Sequence, residues 1–392
     1  MKFFFNQKLF FFDFNLVFFL LNILLKNCIN CNSYSLLEKI KSKTEISKIS
    51  NAVTALLLGS NDPPEDKYFI NKINISNNTG YIMGIFDGHG GWVLSQYANL
   101  LFYPYFLEEY NSKNNFEKIE EKRIIFALNR TFARIEEEFK LISFNKNIEG
   151  NKKFKNVGTC VLVSLIINKT LYTANLGDSK AILLEKNKNN ETFKYKKVSK
   201  VFNCRKKEEQ KKLKEKWPNM EDIYKCKREK VCYVKGRLQP TSTLGDYYLK
   251  SPLYNLDKKN LYNDKFINDK INNYEGPFID SVPDIKIFDL KENDKFLVMG
   301  SDGLWDYLNS KEIAELIEEF LDKKNNIFTE NKIEEESDKI AFGLMEITIQ
   351  KSSKKSRIKE LDILDIPLGK KLRRIHDDIT IIIFDLSKLS EK

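Results

Sequence analysis

From about Leu36 onward the chain alternates short apolar runs with longer stretches in which apolar residues recur every three or four positions. TGYIMGIFD, residues 79–87, is apolar, β-rich and ended by Asp-Gly, and predicts a strand. Ile124, Leu128, Phe132, Ile135 and Phe139 stand at helical spacing in a charged background and predict an amphipathic helix. TCVLVSLIIN and TLYTANLGDSKAILLE follow with short polar joints, the pattern of consecutive antiparallel strands. DKFLVMGSDG reads as a strand running into a turn. Asn309, with Glu312 three residues on, is placed to cap a helix carrying Ile313, Leu316, Ile317 and Phe320. DITIIIFDL is apolar at consecutive positions, so it predicts a last strand buried on both faces.

Polar stretches lie between these elements, at 205–230, 256–276, 325–338 and 351–359, and each reads as a surface helix or loop. There is no internal repeat and no Pro/Ser/Gly-rich linker. One domain over residues 32–392 is expected, with polar inserts near 205–230, 256–276 and 323–360. Strands in two blocks with helices between them predict a layered α/β sandwich rather than a parallel βαβ fold.

The first 31 residues are set apart. After Lys2 an apolar run is densest from Leu16 to Leu25 and is followed by Lys26. That core, broken by Asn22, is too short to span a bilayer comfortably, and extending it back to Leu9 takes in Asp13 and Asn15. Residues 1–31 therefore read as a signal peptide, signal anchor or other targeting leader, with residues 3–25 as the segment for membrane attachment. The expected location is the secretory pathway or a membrane. A mitochondrion or other organelle is the alternative, less well supported because the leader is poor in Arg and Ser.

A hydrophobic fraction of 42% in 392 residues is enough to bury a sizeable core. The net charge of +10 comes from lysines spread along the chain, with no Arg-rich or aromatic-interleaved patch, so nucleic acid is not an expected partner. Cys28 and Cys31 form a C-x-x-C without a second pair, and with only two histidines in the chain a zinc site is not expected. Cys160 reads as core, while Cys204, Cys226 and Cys232 give no evidence of a disulfide framework.

The candidate chemistry sits at strand ends. Asp87, Asp178, Asp302 and Asp377 each stand where a predicted strand ends or begins. One such acid is no more than a turn former. Several carboxylates gathered at one end of a sandwich need a cation, and hard oxygen ligands with little His or Cys select Mg2+ or Mn2+. Gly88 allows a sharp turn and leaves its carbonyl open to a metal. No Gly-Lys-Ser/Thr follows, so nucleotide binding is not indicated. His89 lacks partners for a His-based metal cluster; it is either a buried structural imidazole or a proton donor beside the metals. His376 reads as incidental to its neighbour Asp377.

FDGHGG, VGTCVLV, NLGDSKAILL, STLGD, SDGLWD and HDDITIII occur in the order and rough spacing of the metal-dependent serine/threonine protein phosphatases of type 2C, which the chain resembles over residues 51–386. The resemblance implies an α+β fold, a four-layer α-β-β-α sandwich with two central, mostly antiparallel sheets. It implies a monomeric enzyme acting on a phosphorylated protein, with two Mg2+ or Mn2+ ions and a third bound weakly. Asp87 would bridge the metals, the Gly88 carbonyl would bind one, and Asp302 and Asp377 would complete the other. Glu65 and Asp66 would hold metal-bound waters, and Asp178 with Asp302 the third ion. His89 would be the general acid, and a metal-bridged hydroxide would attack phosphorus with no covalent intermediate. Within the family SNDPPED (60–66), EEQKKLKEKWPN (208–219) and LDILDIPLGKKLRRIHDDIT look most like the pyruvate dehydrogenase phosphatase branch.

The chain departs from the family pattern at four places. The phosphate-binding Arg is replaced by Asn61. VFNCRKK stands where the family has D-H-x-P. Ser242 replaces an Arg, with loss of its ion pair, and Asp378 replaces the common Asn. The first and third motivate an alternative, a weakly active member that serves as a phosphoprotein-binding regulatory module.

Overall fold

In the computed structural model the described residues are 36–390, apart from 113–119, 149–150, 152–153, 155, 188–191, 229–230, 256–273 and 322–334. The expected leader over 1–31, the Cys28–Cys31 pair and most of the 256–276 insert lie outside them. The strands in chain order are β1 (Glu45–Ile49), β2 (Val53–Leu58), β3 (Lys67–Ile75), β4 (Asn78–His89), β5 (Gly158–Ile167), β6 (Thr170–Leu176), β7 (Lys180–Lys186), β8 (Phe193–Lys197), β9 (Tyr224–Arg228), β10 (Val231–Val234), β11 (Leu244–Gly245), β12 (Asp284–Asp289), β13 (Asp294–Gly300) and β14 (Ile379–Asp385). One six-stranded sheet has the order β1-β2-β14-β13-β7-β8. A second has the order β12-β6-β5-β4-β3, with β11 added beside β5. Every strand pairing in both is antiparallel.

The helices are α1 (Val93–Asn111), α2 (Glu120–Ile148), α3 (Lys207–Lys216), α4 (Asp302–Trp305), α5 (Ser310–Leu321), α6 (Glu336–Ser356) and α7 (Glu360–Asp365). Alternation along β14 shows how the layers stack. Ile381 and Ile383 pack outward with Ile317 of α5 and Leu344 and Met345 of α6. Ile382 and Phe384 point the other way, into a core shared with Met83, Ile85 and Leu162 of the second sheet. On the far face of that sheet, Phe86 and Val163 meet Phe102 and Phe106 of α1 and Phe132 and Phe139 of α2. The result is the four-layer α-β-β-α sandwich, and the continuous apolar run of β14 is buried on both faces as expected.

The cap of α5 forms as the sequence predicts. Lys311 N and Glu312 N donate to Asn309 Oδ1 at 2.9 and 3.1 Å, and Asn309 N donates to Glu312 Oε2 at 2.8 Å.

Two polar stretches are more structured than their composition suggests. In and just beyond 205–230, α3 and the β9–β10 hairpin enclose a small core of their own, with Leu213, Ile223, Cys232 and Val234. Cys226 and Cys232 form a disulfide there, contrary to the reading of the cysteines from sequence. The reason is register: the hairpin places these two residues directly opposite each other. At 336–356 the charged residues hide α6, whose Ile340, Leu344, Met345 and Ile349 are buried. Asp338, from the acidic stretch, is buried too and accepts a hydrogen bond from Thr54 Oγ1 at 2.6 Å. Among the described residues no helix is long and apolar enough to cross a membrane.

Candidate active site

Topology gathers the acids. In the first sheet β2, β14, β13 and β7 are neighbours and antiparallel. The end of β2, the start of β14, the end of β13 and the start of β7 therefore share one edge. Glu65 and Asp66 follow β2, Asp377 precedes β14, Asp302 follows β13 and Asp178 precedes β7. From the second sheet β4 carries Asp87, Gly88 and His89 to the same edge. Asp302 N lies 3.3 Å from Asp87 Oδ2, which joins the two sheets at the site.

Asp66, Asp87 and Asp178 are buried, and Glu65, Asp302 and Asp377 are half-buried. Burial, then the Asp302 charge, push the Asp87 carboxyl well above the usual range. Burial followed by Asp378 and Asp377 does the same to Asp66, and burial followed by Asp377 to Asp302. Asp377 is raised to about 6 by burial, against the pull of Arg373. Glu65 is raised by burial and by Asp378. Carboxylates that resist ionising together are a site short of positive charge.

Divalent cations fit this donor set. Ligand atoms of Asp87, Cys160 and Asp178 lie within 4.8 Å of one another. Burial holds the Cys160 thiol well above its usual range, so it stays neutral and donates to Asp178 Oδ1 at 3.2 Å. The hard ligands are then the oxygens, which suits Mg2+ or Mn2+. Asn203, in the VFNCRKK segment, donates to the other Asp178 oxygen at 2.6 Å. At Gly88 a Cβ would meet the Glu65 carbonyl oxygen at 2.3 Å and Ser95 Oγ at 2.7 Å, so only glycine lets the Glu65 loop close on β4.

Asp378 behaves unlike its neighbours. Burial alone would raise it, but the backbone N–H groups of Ser60, Asn61 and Asp66 outweigh this and hold it below the usual range. Ser60 N and Asn61 N donate to one oxygen at 2.5 and 3.0 Å, and Glu65 N and Asp66 N to the other at 2.6 and 3.1 Å. Asp378 thus clamps the loop that presents Glu65 and Asp66.

His89 Nε2 lies 2.7 Å from Asp246 Oδ2, an oxygen that also accepts from Thr243 Oγ1 at 2.7 Å. Asp246 is fully buried in a left-handed conformation, φ 50°. Burial works against a charged His89, but Asp246 outweighs it and the imidazole is pushed up. A Cβ at Gly158 would come within 2.1 Å of Asp246 Oδ2 and 2.3 Å of His89 Nε2, so this glycine makes room for the pair. Among the described residues His376 has no carboxylate hydrogen-bond partner. Its Nδ1 faces the Asp377 carbonyl at 2.6 Å, and burial lowers it. Ser242 donates to Asp280 Oδ1 at 2.7 Å, a hydrogen bond where the family pattern has an ion pair.

Sequence reasoning did not assign Asp246, the clamp at Asp378, or Arg373, which pairs with Asp377 at 2.6 Å. For Asp246 the signal was the STLGD motif itself. For Arg373 it was the four-residue spacing from Asp377.

The family model described as "Protein phosphatase 2C" matches residues 59–356. A protein of Oryza sativa subsp. japonica named "Probable protein phosphatase 2C 28" is 29% identical over 304 residues, covering 78% of this chain and 69% of the relative. One of Arabidopsis thaliana named "Probable protein phosphatase 2C 63" is 28% identical over 322 residues, covering 81% and 76%. Among solved structures, a serine-threonine phosphatase 2C from Toxoplasma gondii shares the fold with a TM-score of 0.55 at 12% identity, over 87% of this chain and 98% of that one. A C. elegans sex determining protein gives a TM-score of 0.54 at 17% identity, and this chain covers 66% of its length. The acid-lined sheet edge and the match across most of the chain lead to one assignment: the protein belongs to the protein phosphatase 2C family of serine/threonine protein phosphatases.

Proposed function

We propose that the chain hydrolyses phosphoserine and phosphothreonine in proteins with Mg2+ or Mn2+ and without a covalent enzyme intermediate. The observation that carries this is the convergence of Asp87, Asp302, Asp377, Asp66 and Glu65, each with its carboxyl raised by burial and most by one another as well. Asp87, the Gly88 carbonyl, Asp302 and Asp377 would hold two cations. Glu65 and Asp66 would act through water, and Asp178 with Asp302 would take a third, weaker ion. Bound cations offset the carboxylate repulsion and can lower the pKa of a water to about 7. His89, oriented by Asp246 and with its protonated form favoured by that carboxylate, gives its proton to the departing seryl or threonyl oxygen.

The finer placement nearest the pyruvate dehydrogenase phosphatase branch rests on SNDPPED, on the segment 208–219 and on the run before Asp377. A location in the secretory pathway or at a membrane rests on the N-terminal apolar run, and the Cys226–Cys232 disulfide supports an oxidising compartment. Imaging the tagged full chain beside one lacking residues 1–31 tests it; cytosolic signal from both would contradict it.

Activity is tested with a phosphothreonine peptide. Phosphate release should require Mn2+ or Mg2+ and fall by at least about 10²-fold in Asp87→Asn. Metal binding without turnover on any phosphopeptide would support the regulatory-module alternative instead.

A further inference from the structure

We propose that Arg373 is the residue that binds the substrate phosphoryl group, in place of the cation missing at Asn61. This deepens the phosphatase reading and rests on it. The Asn61 side-chain nitrogen is buried beside Asp378 and is not offered to solvent, so position 61 supplies no donor at the opening. Arg373 sits in a 3-10 turn, Leu372–Arg374, four residues before Asp377. Its Nη2 lies 2.6 Å from Asp377 Oδ2, and its side chain is 43% exposed. Among the described residues it is the one Lys or Arg in an ion pair with a proposed metal ligand. Its charge also acts on Asp302, Asp378 and Glu65, so it stands on the Asp377 side of the cluster rather than at a distant rim.

The turn that carries it is anchored. Gly369 N donates to Ser60 O at 2.7 Å, Arg373 N to Gly369 O at 3.0 Å, and Tyr307 Oη to Ile375 O at 2.8 Å. Ser60 is itself held by Asp378. The guanidinium is therefore presented from a fixed backbone. It has five N–H donors in a planar fork that matches two phosphoryl oxygens, and one contact to Asp377 leaves donors free. Once cations neutralise the carboxylates, the dianionic phosphate is the remaining charge for it to meet.

The test uses the full chain at saturating Mn2+. Arg373→Ala should raise KM for a phosphothreonine peptide about 10-fold or more, and weaken competitive inhibition by inorganic phosphate in parallel. The Mn2+ activation constant should stay near that of the parent, and Arg373→Lys should recover part of the phosphate affinity. Unchanged KM and phosphate inhibition would overturn the proposal, as would a change confined to the Mn2+ constant, which would make Arg373 a positioning residue for Asp377. Calorimetric titration of inorganic phosphate into the Mn2+-loaded protein reads the same contact without turnover. If the parent chain shows no turnover, the phosphatase reading fails while the titration still decides the role of Arg373. If Arg373→Ala does not fold, the titration is made on Arg373→Lys, and affinity equal to the parent's for that variant overturns the bidentate contact.

Discussion

Asp378 stays ionised because four backbone N–H groups point at its two oxygens. An amide there keeps one acceptor and turns a donor toward the other pair. Asp378→Asn should therefore cost about 1–3 kcal/mol, read as a lower denaturation midpoint, and should weaken Mn2+ binding through the freed Glu65 loop. Because its folded pKa is lowered, this stabilisation is present above the unfolded carboxylate value and is lost as the pH falls through the folded one. Glu346 shows the opposite sign. Burial raises it to about 7, and Gln350 Nε2, donating at 3.1 Å, only partly opposes this. Its contribution is full below its unfolded value near 4.5 and is lost as the pH rises through about 7. Urea unfolding from pH 5 to pH 8 should lose up to about 3 kcal/mol that Glu346→Gln retains; parallel curves for the two proteins would refute it. At Gly158 an added methyl collides with His89 and Asp246. Gly158→Ala should cut kcat on the phosphothreonine peptide by about 10²-fold or more, and cut it less on p-nitrophenyl phosphate, whose leaving group needs little protonation.

At the scale of elements, legibility followed the density of apolar residues. β14 could be read because Ile379 to Phe384 offers an apolar side chain to each face. Phe384 meets Tyr81 edge-on at 4.8 Å between the sheets, so Phe384→Ala should cost about 3–5 kcal/mol by thermal or chemical denaturation. Helix α6 was hidden because buried Ser337, Ser352 and Ser353 and terminal lysines dilute its apolar stripe. The β9–β10 disulfide was illegible because cysteine spacing says nothing until a hairpin register is known. Its short loop limits what it adds, roughly 2 kcal/mol by chain entropy. Reduction should therefore raise proteolysis and hydrogen exchange within 224–234 while leaving the global transition in place.

The whole molecule explains why the clustered acids could be read in the sequence and their long-range pairings could not. Two antiparallel sheets, packed face to face, bring acids from loops far apart in sequence to one edge. Each acid announces itself locally, by Asp-Gly or by its place beside an apolar run. The contacts that tune them span the chain: His89 meets Asp246 across 157 positions and Asp378 meets Ser60 across 318. Such pairs follow from topology, and topology is legible only after the strands are ordered. The central claim, that this edge is a divalent-cation site for phosphate hydrolysis, is tested most directly by Mn2+-dependent phosphate release from a phosphothreonine peptide by the parent chain and Asp302→Asn. The account predicts release by the parent that stops on chelation, and loss of at least about 10²-fold in the variant. Release that persists in chelator, or that is equal in the two proteins, would contradict it.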